Sequence, residues 1–228
     1  MLHLKPRQVP ILKMASTKLL LIIFFPAIMI LLAIAVISIL FDIPIPTFTR
    51  DTTTVAGIHP ISGFLSNLGI LLWCIAGTTC AIVAYILKHL ELREKYLFLL
   101  SSAFLSAYLM IDDLFQIHEY FSFQIGLSDT ITITLLGIAV LIYMVQFRHI
   151  IMQTDILLFL LALSLLSSSV FVDTIAEQFL TNQLGDWEYF IEDGIKWIGI
   201  VCWCSYYVKT SICFVKDTAL LPNTMSQE

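Results

Sequence analysis

Six apolar runs, each too long and too uniform to be one face of a soluble helix, constrain this chain more than any other feature. They cover about 17–41, 64–87, 96–121, 129–147, 156–180 and 187–208, and each exceeds the roughly 18 residues that mark a membrane span. At about 1.5 Å per residue, runs of this length cross the roughly 30 Å hydrocarbon core of a bilayer as helices. A transmembrane β-barrel would instead show segments of about ten residues with alternating polarity, and no such pattern occurs. The expected fold is therefore all-α: a polytopic membrane helical bundle of about six transmembrane helices, forming a single integral membrane domain over 1–228. With 59% apolar and 13% charged residues, a soluble globular domain is excluded, and no nucleic-acid partner is expected. There is no Gly/Ser-rich or Pro-rich linker, no internal repeat, and no inverted pair of interrupted helices like those of many secondary transporters.

The basic residues orient the bundle. Lys5, Arg7, Lys13 and Lys18 lie at the N-terminal side. Lys88, Arg93 and Lys95 fall between the second and third runs, Arg148 between the fourth and fifth, and Lys209 and Lys216 after the sixth. The opposite connections carry only Arg50. Because Lys and Arg stay on the cytoplasmic side, both termini are expected there. The first run is long for a signal-peptide core and has no small-residue cleavage site after it, so it reads as an uncleaved helix. The connection from Asp42 to Gly63 carries Pro44, Pro46, Pro60 and Thr52–Thr54. It is expected to be an extended loop with at most a short interfacial helix. Cys74, Cys80, Cys202, Cys204 and Cys213 form no Cys-x-x-Cys pair and read as small apolar filler.

Ionisable residues inside three of the runs locate a candidate site. They are Asp112, Asp113, His118 and Glu119; Asp173 and Glu177; and Glu188, Glu192, Asp193 and Lys196. Such groups are costly in a membrane and by default mark function. Asp112 lies about 24 Å above the cytoplasmic start of its span, Asp173 about 26 Å above its own, and Glu192 about 24 Å above the inner end of the sixth. These three belong to one layer, with Glu119, Glu177 and Glu188 about one to two turns farther out.

Helical spacing agrees with this depth. Asp112, Gln116 and Glu119 are spaced to share a face, as are Ser169, Asp173 and Glu177, and again Glu188, Glu192 and Lys196. Polar stripes on apolar helices are expected to face one another. Two residues have a plainer reading. Asp186 suits an N-cap, and Glu188 in the first turn is favoured by the helix dipole. For Asp112, Asp113 and Asp173 the dipole argument reverses, since they sit toward helix C-termini.

So many carboxylates face only Lys196 and His118, and like charges in low dielectric cannot all stay ionised. Either several are protonated or a bound cation supplies charge. A divalent metal (zinc, iron or manganese) would draw its ligands from Asp112, Asp113, His118, Glu119, Asp173, Glu177 and Glu192. Lys196 reads as the ion-pair partner of Glu192 or Asp193. The residues expected to act on a substrate are Asp112, Asp173, Glu192 and Lys196. His59 is a lone loop histidine that could reach the site, Ser167, Ser168 and Ser169 read as helix-packing hydroxyls, and Trp73, Trp187, Trp197, Trp203, Tyr206 and Tyr207 as belt or packing aromatics.

Several spans with acidic groups near one face resemble the membrane hydrolases that include the alkaline ceramidases. That resemblance implies a zinc site of His, Asp and Ser, but their His-x-x-x-His pair is missing here. The carboxylate-rich helices resemble di-iron bundles, whose Glu-x-x-His motif is also missing. No site residue is carried over from either. The residues support three functions: a metal-dependent, hydrolase-like membrane enzyme acting on a lipid-like substrate; a proton- or cation-coupled transporter; and a structural or assembly subunit. The expected location is the cell membrane, with the site on the exoplasmic (periplasmic) side and membrane lipid around it.

Overall fold

The computed structural model describes residues 17–50, 52–117, 129–172 and 187–220, and every regular element among them is helical. Contacts divide the chain into two units, Met1–Ser62 and Gly63–Glu228. The first holds α1 (Thr17–Phe41), α2 (Pro46–Thr49) and α3 (Thr52–Ala56). Within α1, Phe24–Phe41 has a mean hydropathy of 2.9, yet its large side chains are nearly all exposed. Leu, Ile and Phe displayed all round a helix require an apolar surrounding medium. The Ser38 hydroxyl donates to the Ile43 carbonyl at 2.6 Å and fastens the chain where it leaves α1. Pro46 opens α2, where its missing N–H costs nothing. The connection expected to be an extended loop with at most a short interfacial helix thus contains two short helices.

The second unit holds α4 (Phe64–His89), α5 (Arg93–Phe115), α6 (Asp129–Gln146), α7 (Arg148–Gln153), α8 (Ile156–Phe171) and α9 (Trp187–Leu220). Four segments among the described residues are long and apolar enough to cross a membrane: Phe24–Phe41, Phe64–His89, Arg93–Phe115 and Phe190–Thr218. Ile131–Gln146 and Ile156–Phe171 are shorter apolar helices. Part of the expected fifth span, 173–180, lies outside the described residues.

Small residues decide how these helices meet. One face of α4 buries Gly69, Trp73, Ala76, Gly77, Cys80, Val83, Ala84 and Leu87 at three- and four-residue spacing. A Cβ at Gly77 would stand 3.5 Å from the Ala103 carbonyl oxygen of α5, and one at Gly69 would stand 3.0 Å from Ile200 of α9. Such close approach drives association in lipid, where the hydrophobic effect between helices is missing. Accordingly α4 packs along α5 on one side and α9 on the other, and α9 packs along α8.

Between α5 and α9, long side chains form a seam. Asp113 meets Lys196, Ser106 meets Trp203, and Ser102 reaches Tyr207 through Tyr143 of α6. The residue numbers fall on α5 as they rise on α9, in matching steps, so the two helices run antiparallel.

Two helix ends differ from expectation. The third span was expected to continue to about residue 121, but α5 stops at Phe115 because Gln116 turns left-handed (φ 50°) and donates its N–H to the Asp112 carbonyl. Asp112 and Gln116 therefore do not share a continuous helical stripe. At the other extreme, α9 does not stop near 208 but runs 34 residues to Leu220. Lys209 pairs with Asp155 and Asp217 with Lys95, so charges that end the apolar run also tie down the helix that continues past it.

Candidate functional site: an ion pair beside an apolar cavity

Asp113 anchors the site. One carboxylate oxygen lies 2.8 Å from the Lys196 ammonium, and the other accepts the Trp73 indole N–H at 2.8 Å. Three helices, α4, α5 and α9, thus converge on one carboxylate whose side chain is 10% exposed. Trp73 also stands edge-on to Trp203, ring centroids 5.6 Å apart, which fixes the indole that donates to Asp113. Both oxygens of Asp113 are used by a cation and an N–H, the full compensation that a carboxylate in an apolar setting requires. The expected partners of Lys196 were Glu192 and Asp193 on its own helix. The structure pairs it with Asp113 of α5, because the antiparallel seam sets the two side chains at one level.

Asp112, one position earlier, points elsewhere. It is buried and lines an open-sided cavity of about 460 Å³ walled by residues of α4, α5, α6, α8 and α9. One end of this cavity is polar, with Asp112, Asp113, Thr132, Ser169, Glu192 and Lys196 in its wall. Toward the other end the wall is apolar: Val140, Leu141 and Met144 of α6, Leu163 of α8 and Trp203 of α9. The register of the seam orders these ends, since Trp203 sits beside Ser106, two turns from Asp113. On the α6 side, a Cβ at Gly137 would meet nothing within 4 Å. A concave, largely apolar space with a few convergent polar groups is the usual form of a small-molecule site. Beneath the ion pair, Leu65, Ser66, Asp193, Trp197 and Ile200 line a second space of about 30 Å³.

The expected site residues separate accordingly. Asp112, Glu192 and Lys196 share the large cavity, and Asp113 joins them. His118, Glu119, Asp173 and Glu177 lie outside the described residues. Among the described residues, no group of three or more His, Cys, Asp or Glu side chains could hold a metal ion. The expected metal site is therefore not formed by the described carboxylates: Asp113 is committed to Lys196 and Trp73. A metal on Asp112 or Glu192 would need further ligands from His118, Glu119, Asp173 or Glu177. His59 accepts the Ile61 backbone N–H at 3.2 Å and so shapes a turn in the first unit. Ser168 donates to its own helix at Ser164, while Ser167 and Ser169 border the cavity. All five cysteines are free.

The chemistry open to these groups is proton transfer and charge recognition. Asp112 and Glu192 can act as acid or base toward a molecule in the cavity. A protonated lysine offers no lone pair for attack, and the Lys196 ammonium lies 2.8 Å from the Asp113 carboxylate.

The partner that the sequence reading missed is Trp73, classed there among belt or packing aromatics. Its signal was the small-residue stripe of Gly69, Ala76, Gly77 and Cys80 around it, which marks that face of α4 as interior.

The opposite end of the unit is built differently. Lys95 contacts Asp217 at 3.3 Å, Lys209 contacts Asp155 at 2.5 Å, and Thr154 bonds Tyr206 at 2.7 Å. Lys209 and the backbone N–H of Leu158 hold the Asp155 carboxyl below its ordinary pKa. The basic connections thus collect at the end of the bundle remote from Asp113 and Lys196.

No curated protein and no solved structure gives a significant match to the chain. One family model does match, over residues 21–210, a stretch that includes every described residue of the cavity wall. The chain accordingly belongs to the family described as a domain of unknown function, DUF8692.

Proposed function

We propose that this chain is a multi-pass protein of the cell membrane that takes a lipid-like molecule into the α5–α6–α8–α9 cavity and acts on its polar end. The observation that carries this reading is the cavity itself: about 460 Å³, within the range of small-molecule sites, apolar along most of its length and polar at one end. In this reading the chain crosses the membrane six times with both termini cytoplasmic. The collection of Lys95, Lys209 and Arg148 toward one end of the second unit supports that orientation. The cavity's polar end then faces the exoplasmic side.

The reaction proposed is hydrolysis of an ester or amide in the substrate's head, with Asp112 and Glu192 as acid and base and Lys196, held by Asp113, as an electrostatic anchor. Metal analysis of the purified protein tests whether a divalent ion takes part through His118, Glu119, Asp173 or Glu177. The decisive experiment incubates the protein, in bilayer discs, with mixed lipid esters and amides and follows product formation by mass spectrometry. Turnover lost in Asp112→Asn with folding preserved supports the reading. Turnover by neither protein removes the enzymatic part. A second reading, proton- or cation-coupled transport, draws support from the carboxylates Asp112, Asp113 and Glu192 at the cavity's polar end. Proton flux in sealed vesicles that Asp112→Asn abolishes would favour it.

A further inference from the structure

We infer that the cavity takes an acyl chain of a lipid already resident in the bilayer, and that the chain enters sideways, past α6, rather than through the polar end. This inference rests on the membrane-cavity reading above and adds the source and route of the ligand. Three residues that line the cavity are also exposed on the outside of the bundle: Tyr108 of α5, Leu141 of α6 and Val170 of α8. Leu141 borders the space and is nonetheless 62% exposed, so the wall is incomplete beside it. In the six-span arrangement these positions lie within apolar runs, where the surrounding medium is lipid chains rather than water. The apolar wall is then continuous with the lipid-facing surface.

The packing of α6 is consistent with such an opening. Over Ile131–Gln146, Tyr143 is the buried residue, and the turns from Thr132 to Val140 bury none. Tyr143 is held firmly: its hydroxyl bonds Ser102 at 2.8 Å and Tyr207 at 2.9 Å, and its ring stacks on Phe98 with centroids 5.8 Å apart. Side-chain burial thus fastens α6 near one end, while the stretch around Gly137 borders the cavity and is not buried. Segments with few buried apolar contacts open at the lowest cost. Solvation selects the route. A chain arriving through the polar end would first leave hydrocarbon for water, at a cost that grows with each methylene. A chain sliding in beside α6 exchanges lipid neighbours for Val140, Leu141, Met144 and Leu163 and never meets water.

Trp203 stands in the cavity wall and is 1% exposed, so a lipid outside the bundle cannot reach it. The test places the full-length protein in discs doped with a phosphatidylcholine that carries a mid-chain diazirine, and maps the photoadducts by mass spectrometry. A parallel arm adds a short-chain diazirine alcohol from water, which can arrive by either route, whereas the two-chain lipid stays in the bilayer. Each arm is repeated on Gly137→Leu and on Leu141→Trp, which place bulk at the inferred opening. The expected result is phospholipid adducts on Trp203 that are lost in both variants, with adducts on Leu157 of α8, 77% exposed, unchanged as the surface control. If Gly137→Leu does not fold, Leu141→Trp carries the same expectation. Labelling of Trp203 by the alcohol but not by the phospholipid overturns sideways entry and leaves the cavity reading standing. Phospholipid adducts on Trp203 that the folded variants retain do the same. Labelling of Trp203 by neither probe shows that the cavity is not a ligand site, and both readings then fall.

Discussion

The two ends of the α5–α9 seam are built on opposite principles. At the end bearing Lys95 and Lys209, side chains close on one another. Phe98 is fully buried and has the rings of Tyr143, Phe147, Phe214 and Tyr207 within 5.6–6.3 Å of its own, and the Ser102, Tyr143 and Tyr207 hydroxyls bond in a chain at 2.8 and 2.9 Å. At the end bearing Asp113 and Lys196, the same two helices carry charges and border empty space. Hydroxyls on aromatic rings permit the first arrangement, because each polar tip finds another within the packed layer and no water is needed. Carboxylates and an ammonium need partners of opposite charge, and among the described residues Asp113 and Lys196 form such a pair beside the cavity. The lesson is that one seam can serve as clamp and as binding wall, with the change set by which residues occupy successive turns.

Four experiments press on that contrast, each read as thermal or chemical unfolding of the detergent-solubilised or disc-embedded protein. The largest effect belongs to the closed end: Phe98→Ala removes the ring around which four others pack and should cost about 3–5 kcal/mol. A much smaller loss would mean that the aromatic cluster is not the clamp.

The ion pair comes next. Asp113→Asn removes the carboxylate that Lys196 contacts and should cost about 3 kcal/mol, the low end for a broken buried pair because Lys196 is 35% exposed. The double variant Asp113→Asn/Lys196→Met should recover part of that loss, and strict additivity of the two single losses would show that the pair is not coupled.

Two helical glycines then separate tight packing from open space directly. A Cβ at Gly199 would stand 3.0–3.1 Å from Leu166, including its backbone nitrogen, so Gly199→Ala should cost about 1–3 kcal/mol. A Cβ at Gly137 meets nothing, so Gly137→Ala should be stabilising by about 0.5–1 kcal/mol through helix propensity alone. Equal effects at the two sites would erase the distinction drawn between packed and hollow layers.

The smallest effect lies at Asp155. Its carboxyl pKa is lowered in the folded protein, so its contribution is full above the unfolded Asp range and disappears as pH falls through the depressed folded value. Asp155→Asn should therefore melt slightly below wild type at neutral pH, and the difference should shrink below the ordinary value of 3.8 and vanish below the depressed folded value. A gap that persists there would assign the effect to Lys209 geometry rather than to charge.

The apolar runs, the helical character of every described element and the membrane class were legible in the sequence, because burial of backbone polar groups in lipid leaves few alternatives to a helix and length alone signals it. The presence of ionisable residues within the apolar runs was legible for a related reason: a charge in an apolar run is an exception visible in one dimension. That Asp113 of another helix pairs with Lys196 was not. Helical spacing offered Glu192 and Asp193 from the same helix, whereas the choice of Asp113 depends on the axial register of α5 against α9, set by small residues on α4 and by Trp203 meeting Ser106. The end of α5 at Phe115 also escaped the sequence, since Gln116 is a common helix residue and only its left-handed backbone stops the turn. The cavity is wholly a tertiary property. No single helix records a space between several, and the described wall of this one draws on five helices.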